Sequence, residues 1–163
     1  MKLLVDTSAI LALILRDDRN HARAAKFLRS HPQVRFVWTE LILAEVATRL
    51  RAHAGAERAV AVVRELLRSR RYELLLADTE ILEAALEHLA RYHDHRLSLT
   101  DCASFEVIRR LKLDGAFAFD LDFVACGFRR RCTASSAIRR GDAAPRWPVS
   151  FGRPSISTSA GRV

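Results

Sequence analysis

Cysteine is scarce in this 163-residue chain: Cys102, Cys126 and Cys132 are the whole complement, and no two are spaced as Cys-x-x-Cys. That excludes a disulfide scaffold and a thiolate zinc clamp, and a reducing cytoplasm is the expected compartment. Apolar runs are short as well. None approaches the roughly 20 residues that cross a bilayer, so no membrane association is expected. The run after Lys2 has the length of a short secretory core, but Asp6 interrupts it, Arg16-Asp17-Asp18 flank it and no small-x-small cleavage site follows. Aromatic residues make up 7% of the chain and form no obvious run on which successive bases could stack. Proline is nearly missing from the first 132 residues, where Pro32 stands alone.

Acidic residues are also in deficit, with 19 Asp and Glu against 27 Lys and Arg, for a net charge of +8. Such an imbalance favours a polyanionic partner such as nucleic acid. Residues 133–163 carry Arg139, Arg140, Arg146, Arg153 and Arg162 against Asp142 alone, yet the rest of the chain stays basic without them. This tail also holds Pro145, Pro148 and Pro154 and has no sustained periodicity. It is expected to be a mostly disordered basic appendage to a single domain spanning 1–132.

Within that domain short apolar runs alternate with helical periodicity. Leu3 to Val5 reads as a buried strand that ends at Asp6; Thr7 and Ser8 then lead into Ile10, Leu11, Ile14 and Leu15 at helical spacing. A second helix covers Asn20 to Ser30, and Val34 to Trp38 is a second strand. Thr39 is placed to cap a long helix from Leu41 to Ala54, ended by Gly55. Glu57 to Arg68 is a further helix, Tyr72 to Leu76 a third strand, and Asp78-Thr79 starts a helix over Glu80 to Tyr92. Ser98 and Asp101 stand three apart like a capping-box pair at the head of a helix to Leu111, and Ala116 to Phe119 is a last strand running into Asp120. Strands alternating with helices in this way imply parallel βαβ units, hence an α/β fold: a three-layer α/β/α sandwich around a central parallel sheet.

Four acids stand out by context: Asp6 after the first strand, Glu45 inside the long helix, Asp101 in the first turn of its helix and Asp120 after the last strand. Each has a local explanation. Asp6 and Asp120 could be N-caps, Asp101 the acid of a capping box, and Glu45 a partner of Arg49 one turn on. Glu45 nevertheless lies one turn from Leu41 and Ile42, on or beside the buried face, where a carboxylate is costly unless paired or bound to a metal. If the four converge, a hard divalent cation relieves their repulsion, and an oxygen-only donor set selects Mg²⁺ or Mn²⁺ over zinc.

Val5-Asp6-Thr7-Ser8, Leu43-Ala44-Glu45-Val46, Leu97-Ser98-Leu99-Thr100-Asp101-Cys102 and Phe119-Asp120-Leu121-Asp122-Phe123 with Gly127-Phe128 follow one another in an order and spacing that resembles the PIN-domain ribonucleases. Within that family the chain is most similar to the VapC-type toxins of toxin-antitoxin pairs, from Met1 to about Arg131. The resemblance implies that the first strand is central and that Asp6, Glu45, Asp101 and Asp120 form a catalytic cluster for Mg²⁺-dependent or Mn²⁺-dependent RNA cleavage. It makes Asp6, Asp101 and Asp120 the main metal ligands, Glu45 a ligand or a water-positioning base, and Ser8 a support within hydrogen-bonding reach. It also implies a homodimer and a small antitoxin protein that silences the nuclease. Asp122 departs from the pattern, standing where such toxins often carry His; it is either an outer ligand or a cap of the next turn.

Other chemistries fit less well. Asp120-Leu121-Asp122 echoes the Asp-x-Asp of haloacid-dehalogenase-like phosphatases, but it comes late in the chain and Val124 stands where those enzymes need Thr. His93-Asp94-His95 has no spaced third ligand for a transition metal and reads as a solvated turn. A housekeeping RNA-processing nuclease shares the same chemistry, and a non-catalytic basic RNA-binding or partner-binding module would not need Mg²⁺.

Overall fold

The structure is a computed structural model, and it describes residues 1–93 and 96–120. Asp122, Gly127-Phe128, Asp94 and His95 of the His93-Asp94-His95 turn, and the tail 133–163 lie outside the described residues.

Elements follow in the order β1 (Lys2–Val5), α1 (Thr7–Ile14), α2 (His21–Ser30), β2 (Arg35–Thr39), α3 (Glu40–Ala54), α4 (Ala56–Arg68), β3 (Tyr72–Leu75), α5 (Thr79–Arg91), α6 (Leu99–Arg110) and β4 (Ala116–Phe117). Among the described residues the four strands form one parallel sheet in the order β3-β2-β1-β4. β1 is central, as expected, and Leu3, Leu4 and Val5 are fully buried.

The strand order dictates the layers. Successive right-handed crossovers step from β1 to β2 to β3 and leave α1 to α4 on one face; the return from β3 to β4 carries α5 and α6 across the other. Contacts of α1 with α2 and α3, of α3 with α4, and of α5 with α6 agree with this division. The α/β/α sandwich expected from the alternation of elements is therefore present. Its order reverses between β1 and β4, and in open α/β sheets the crevice beyond the carboxyl ends of the strands at such a reversal is where ligands bind.

Local signals explain most boundaries. Thr39 Oγ1 accepts from the amide of Ile42 at the head of α3, and Asp78 Oδ1 accepts from Ile81 at the head of α5. Ser98 and Asp101 form the expected capping box. Gly55, at φ +83°, takes the left-handed conformation that ends α3 and starts α4 without a connecting loop. β4 is shorter than the sequence suggests. Its ladder with β1 reaches only Phe117, because the next available amide, that of Phe119, donates to a side chain, Ser8 Oγ, at 3.0 Å.

On one face of the sheet aromatic rings pack in a chain: Tyr72 on Phe36, Phe36 on Phe117, and Phe117 on Phe27, at centroid distances of 5.2, 5.4 and 4.7 Å. Among the described residues most aromatic side chains are thus spent on the core, where Trp38, Phe36, Phe105 and Phe117 are among the largest fully buried side chains.

Candidate active site

Asp6 is the first residue past the central strand. Its side chain caps α1, accepting from the amide of Ser8 at 2.9 Å and from the Ser8 hydroxyl through the same Oδ2. The cap explanation and the functional one are therefore both true of Asp6. It is only 6% exposed, and burial lifts its pKa to about 6 from 3.8, with the charge of Asp101 adding to the rise. The Ser8 hydroxyl and amide and the Thr7 amide oppose it. A carboxyl held in this state favours any cation that can replace the proton.

Glu45 reaches the same corner from α3. Thr7 Oγ1 donates to Glu45 Oε2 at 2.8 Å, so the half-buried carboxylate is held by the first turn of α1 rather than by Arg49. Asp120 is brought in through its neighbour: Phe119 N–H donates to Ser8 Oγ, whose proton goes to Asp6. Asp101 opens α6 close enough for its charge to act on Asp6. Its Oδ2 accepts from the backbone and hydroxyl of Ser98 at 2.8 and 2.7 Å. Residues more than 100 positions apart in sequence, such as Ser8 and Phe119 at 111, thus meet at one edge of the sheet, beside the reversal between β1 and β4.

The side chains are not gathered into a ready-made cage. Among the described residues no three His, Cys, Asp or Glu side chains stand together in a metal-binding arrangement. Instead, one oxygen each of Asp6, Glu45 and Asp101 is turned to a hydroxyl of its own. In chemistry the set fits a hard cation, being all oxygen and containing a buried carboxylate destabilised by a like charge.

The sequence gives two polar groups at this edge no role of their own. Thr7 stands in the Val5-Asp6-Thr7-Ser8 run only as a lead into the helix, and its bond to Glu45 is visible in the structure alone. Glu40, in the first turn of α3, accepts from the amide of Ala77 at 3.0 Å and so fastens the loop after β3. The described part of the His93-Asp94-His95 turn joins no metal-binding group.

A doubly wound parallel sheet with carboxylates collected at its switch point defines a class, that of α/β proteins suited to divalent-metal chemistry on phosphate esters. The chain belongs to the PIN domain family, whose family model matches residues 3–128, and within it to the VapC-type toxins. It is 37% identical over 125 residues to the 23S rRNA-specific endonuclease VapC20 of Mycobacterium tuberculosis, covering 76% of this chain and 93% of the relative. The crystal structure of Mycobacterium tuberculosis VapC20, described as a sarcin-ricin loop cleaving toxin, superposes with a TM-score of 0.72 at 31% identity, over 78% of this chain and 96% of that one. VapBC2 from Rickettsia felis, bound to a DNA fragment of its promoter, shares the fold at a TM-score of 0.59 and 12% identity, over 77% of this chain and 92% of that one. PIN domains are metal-dependent nucleases, and this chain is an enzyme of that kind.

Proposed function

We propose that this chain is the toxin of a toxin-antitoxin pair, an Mg²⁺-dependent endoribonuclease, with Mn²⁺ as the alternative ion. Asp6, Asp101 and Asp120 are the main metal ligands, Glu45 is a ligand or a water-positioning base, and Ser8 supports them. The observation that carries this reading is the pair of hydroxyl bridges, Thr7 to Glu45 and Ser8 to both Asp6 and the Phe119 amide, which ties three acid-bearing segments to one corner.

When bound, the ion lowers the pKa of a coordinated water and offsets charge on the leaving oxygen of the phosphodiester. The residues of the chain orient and exclude. Asp6, beneath the corner, is shielded from water; Ser8 fixes the orientation of its carboxyl; Thr7 keeps Glu45 aimed over α1, where it can take a proton from an attacking water.

The substrate follows the relative. With 37% identity to a 23S rRNA-specific endonuclease, the proposed target is 23S rRNA, and its sarcin-ricin loop is the proposed site of cleavage. The proposed location is the cytoplasm; among the described residues no helix is long and apolar enough to cross a membrane. The proposed partners are RNA, an antitoxin and a second copy of the chain. Apolar surface for a protein partner exists on α4, where Val60 and Leu67 are each 47% exposed and Val60 lines an open groove of about 420 Å³ with Ala47, Ala59 and Val63. The nuclease domain is taken as 1–132, with the family match ending at 128 in support, and 133–163 as a basic tail. Asp122 is kept as an outer support of the site.

The test is incubation of the purified full-length chain with total RNA, with and without Mg²⁺, beside Asp6→Asn. New 5′ ends that map to the sarcin-ricin loop only with Mg²⁺ and only with the unsubstituted chain are expected. Identical RNA profiles in all four reactions would overturn the proposal.

A further inference from the structure

Arg23 is set apart from the other exposed arginines by what holds it. Its guanidinium carbon stands 5.2 Å from the centre of the Phe119 ring, and Nη1 donates to Asn20 Oδ1 at 3.0 Å. No carboxylate among the described residues lies within ion-pair distance of it.

The packing shows which end of the molecule Arg23 occupies. Phe27 of α2 stacks on Phe117 of β4, and four residues earlier Arg23 covers Phe119, two residues further along the chain from Phe117. Hence α2 runs against β4, and its first turn sits over the carboxyl edge of the sheet, where the acids are. Phe119 is itself fixed there: its ring meets Phe117 edge-on and its amide donates to Ser8 Oγ, the hydroxyl bonded to Asp6. A planar cation braced against an aromatic ring loses little freedom when it binds a phosphate with its remaining N–H groups.

We propose that Arg23, braced by Phe119 and Asn20, is an RNA-phosphate subsite that grips the backbone beside the phosphodiester to be cut. It deepens the nuclease reading above and rests on it for the identity of the polyanion. The acidic corner alone repels RNA. A fixed cation at its rim supplies attraction without entering the carboxylate cluster, which makes Arg23 a positioning residue.

The experiment measures binding and turnover separately. Affinity for a sarcin-ricin-loop RNA oligonucleotide is measured by fluorescence anisotropy in the uncleaving Asp6→Asn background, with and without Arg23→Gln and, separately, Phe119→Leu. Arg23→Gln is expected to weaken binding about tenfold and to lower the salt slope by roughly 0.7 to 0.9, the loss of one phosphate contact. Phe119→Leu, which keeps the cation and removes its brace, is expected to weaken binding severalfold with a smaller change in slope. In the otherwise unsubstituted enzyme Arg23→Gln is expected to raise KM about tenfold with kcat within about twofold and Tm unchanged. Unchanged affinity and salt slope in Arg23→Gln would overturn the proposal, as would a fall in Tm accompanied by equal losses in kcat and kcat/KM. If the unsubstituted chain binds this RNA through Arg23 but cleaves none of it, the nuclease reading fails while the subsite stands.

Discussion

Thr7 Oγ1 lies 2.8 Å from Glu45 Oε2, across 38 residues of sequence, and this one bond couples the corner after the central strand to the middle of the longest described helix. Replacing Thr7 by Val keeps the shape and removes the donor, leaving a half-buried carboxylate without its hydroxyl. The expected result is a loss of about 1 kcal/mol in stability by urea denaturation and a fall in cleavage rate of about tenfold or more. Thr7→Ser, which restores the hydroxyl, is expected to recover most of both. Equal activity in Thr7→Val and the unsubstituted enzyme would show that Glu45 needs no positioning.

Asp6 carries a pH dependence whose sign follows from its surroundings. Burial and the Asp101 charge raise its pKa in the folded chain to about 6, above the unfolded value of 3.8, so the folded state binds this proton more tightly than the unfolded state does. Its contribution to metal-free stability is full below about pH 4 and is lost as pH rises through 6. Above that the ionised group leaves the fold weaker by about 3 kcal/mol at most. Asp6→Asn, which keeps the cap and deletes the charge, is expected to raise metal-free stability at pH 7 and to flatten its change between pH 4 and 7. Cleavage is expected to fall by roughly a thousandfold. Denaturation curves at several pH values in EDTA, set beside single-turnover rates with Mg²⁺, check both halves.

Much of this was legible in the sequence because it was local. The strand ending at Asp6, the caps Thr39 and Asp78, and the Ser98-Asp101 box all depend on residues within a few positions of one another, and the structure places them as expected. What sequence spacing leaves open is the partner at long range. Glu45 had Arg49 one turn away as a reasonable mate, but the β1-α1 corner was closer in space. β4 ends early for a similar reason: the Phe119 amide was taken by Ser8, 111 residues distant, and periodicity carries no trace of that. The metal-ligand roles of Asp6, Glu45, Asp101 and Asp120 came from the family resemblance rather than from spacing.

Ser8 is the hinge of two bonds, donating to Asp6 and accepting from the Phe119 amide. Ser8→Ala removes both and leaves that amide short of a partner, for an expected cost of about 1 to 3 kcal/mol. Because the hydroxyl holds the Asp6 pKa down against burial, its loss is expected to push that pKa further up. A ¹³C NMR titration of the metal-free protein reads the direction. A downward shift, or none, would remove Ser8 from any role in orienting the carboxyl.

Burial alone does not mark an acid as catalytic, and Glu106 supplies the contrast. At 1% exposure it is more buried than Asp6, but Arg109 Nε at 2.8 Å and the Arg110 guanidinium surround it, with His88 of α5 at 3.8 Å. Although burial pushes its pKa up, hydrogen bonds and charge from the two arginines prevail and hold it below the usual value. Its stabilising effect is therefore present above the ordinary Glu range and is lost as pH falls through the lowered folded pKa, the opposite direction to Asp6. Arg110 extends the network to Glu80 at 3.1 Å, so the cluster joins α5 to α6 rather than facing the acidic corner. Glu106→Gln is expected to destabilise the fold by about 1 to 3 kcal/mol, the partly exposed arginines recovering water as a substitute. Its cleavage rate below the melting transition is expected to stay within about twofold of the unsubstituted enzyme. If Glu106→Gln instead lost activity as Asp6→Asn does while keeping its Tm, the division between a structural acid and the acids of the site would have been drawn in the wrong place.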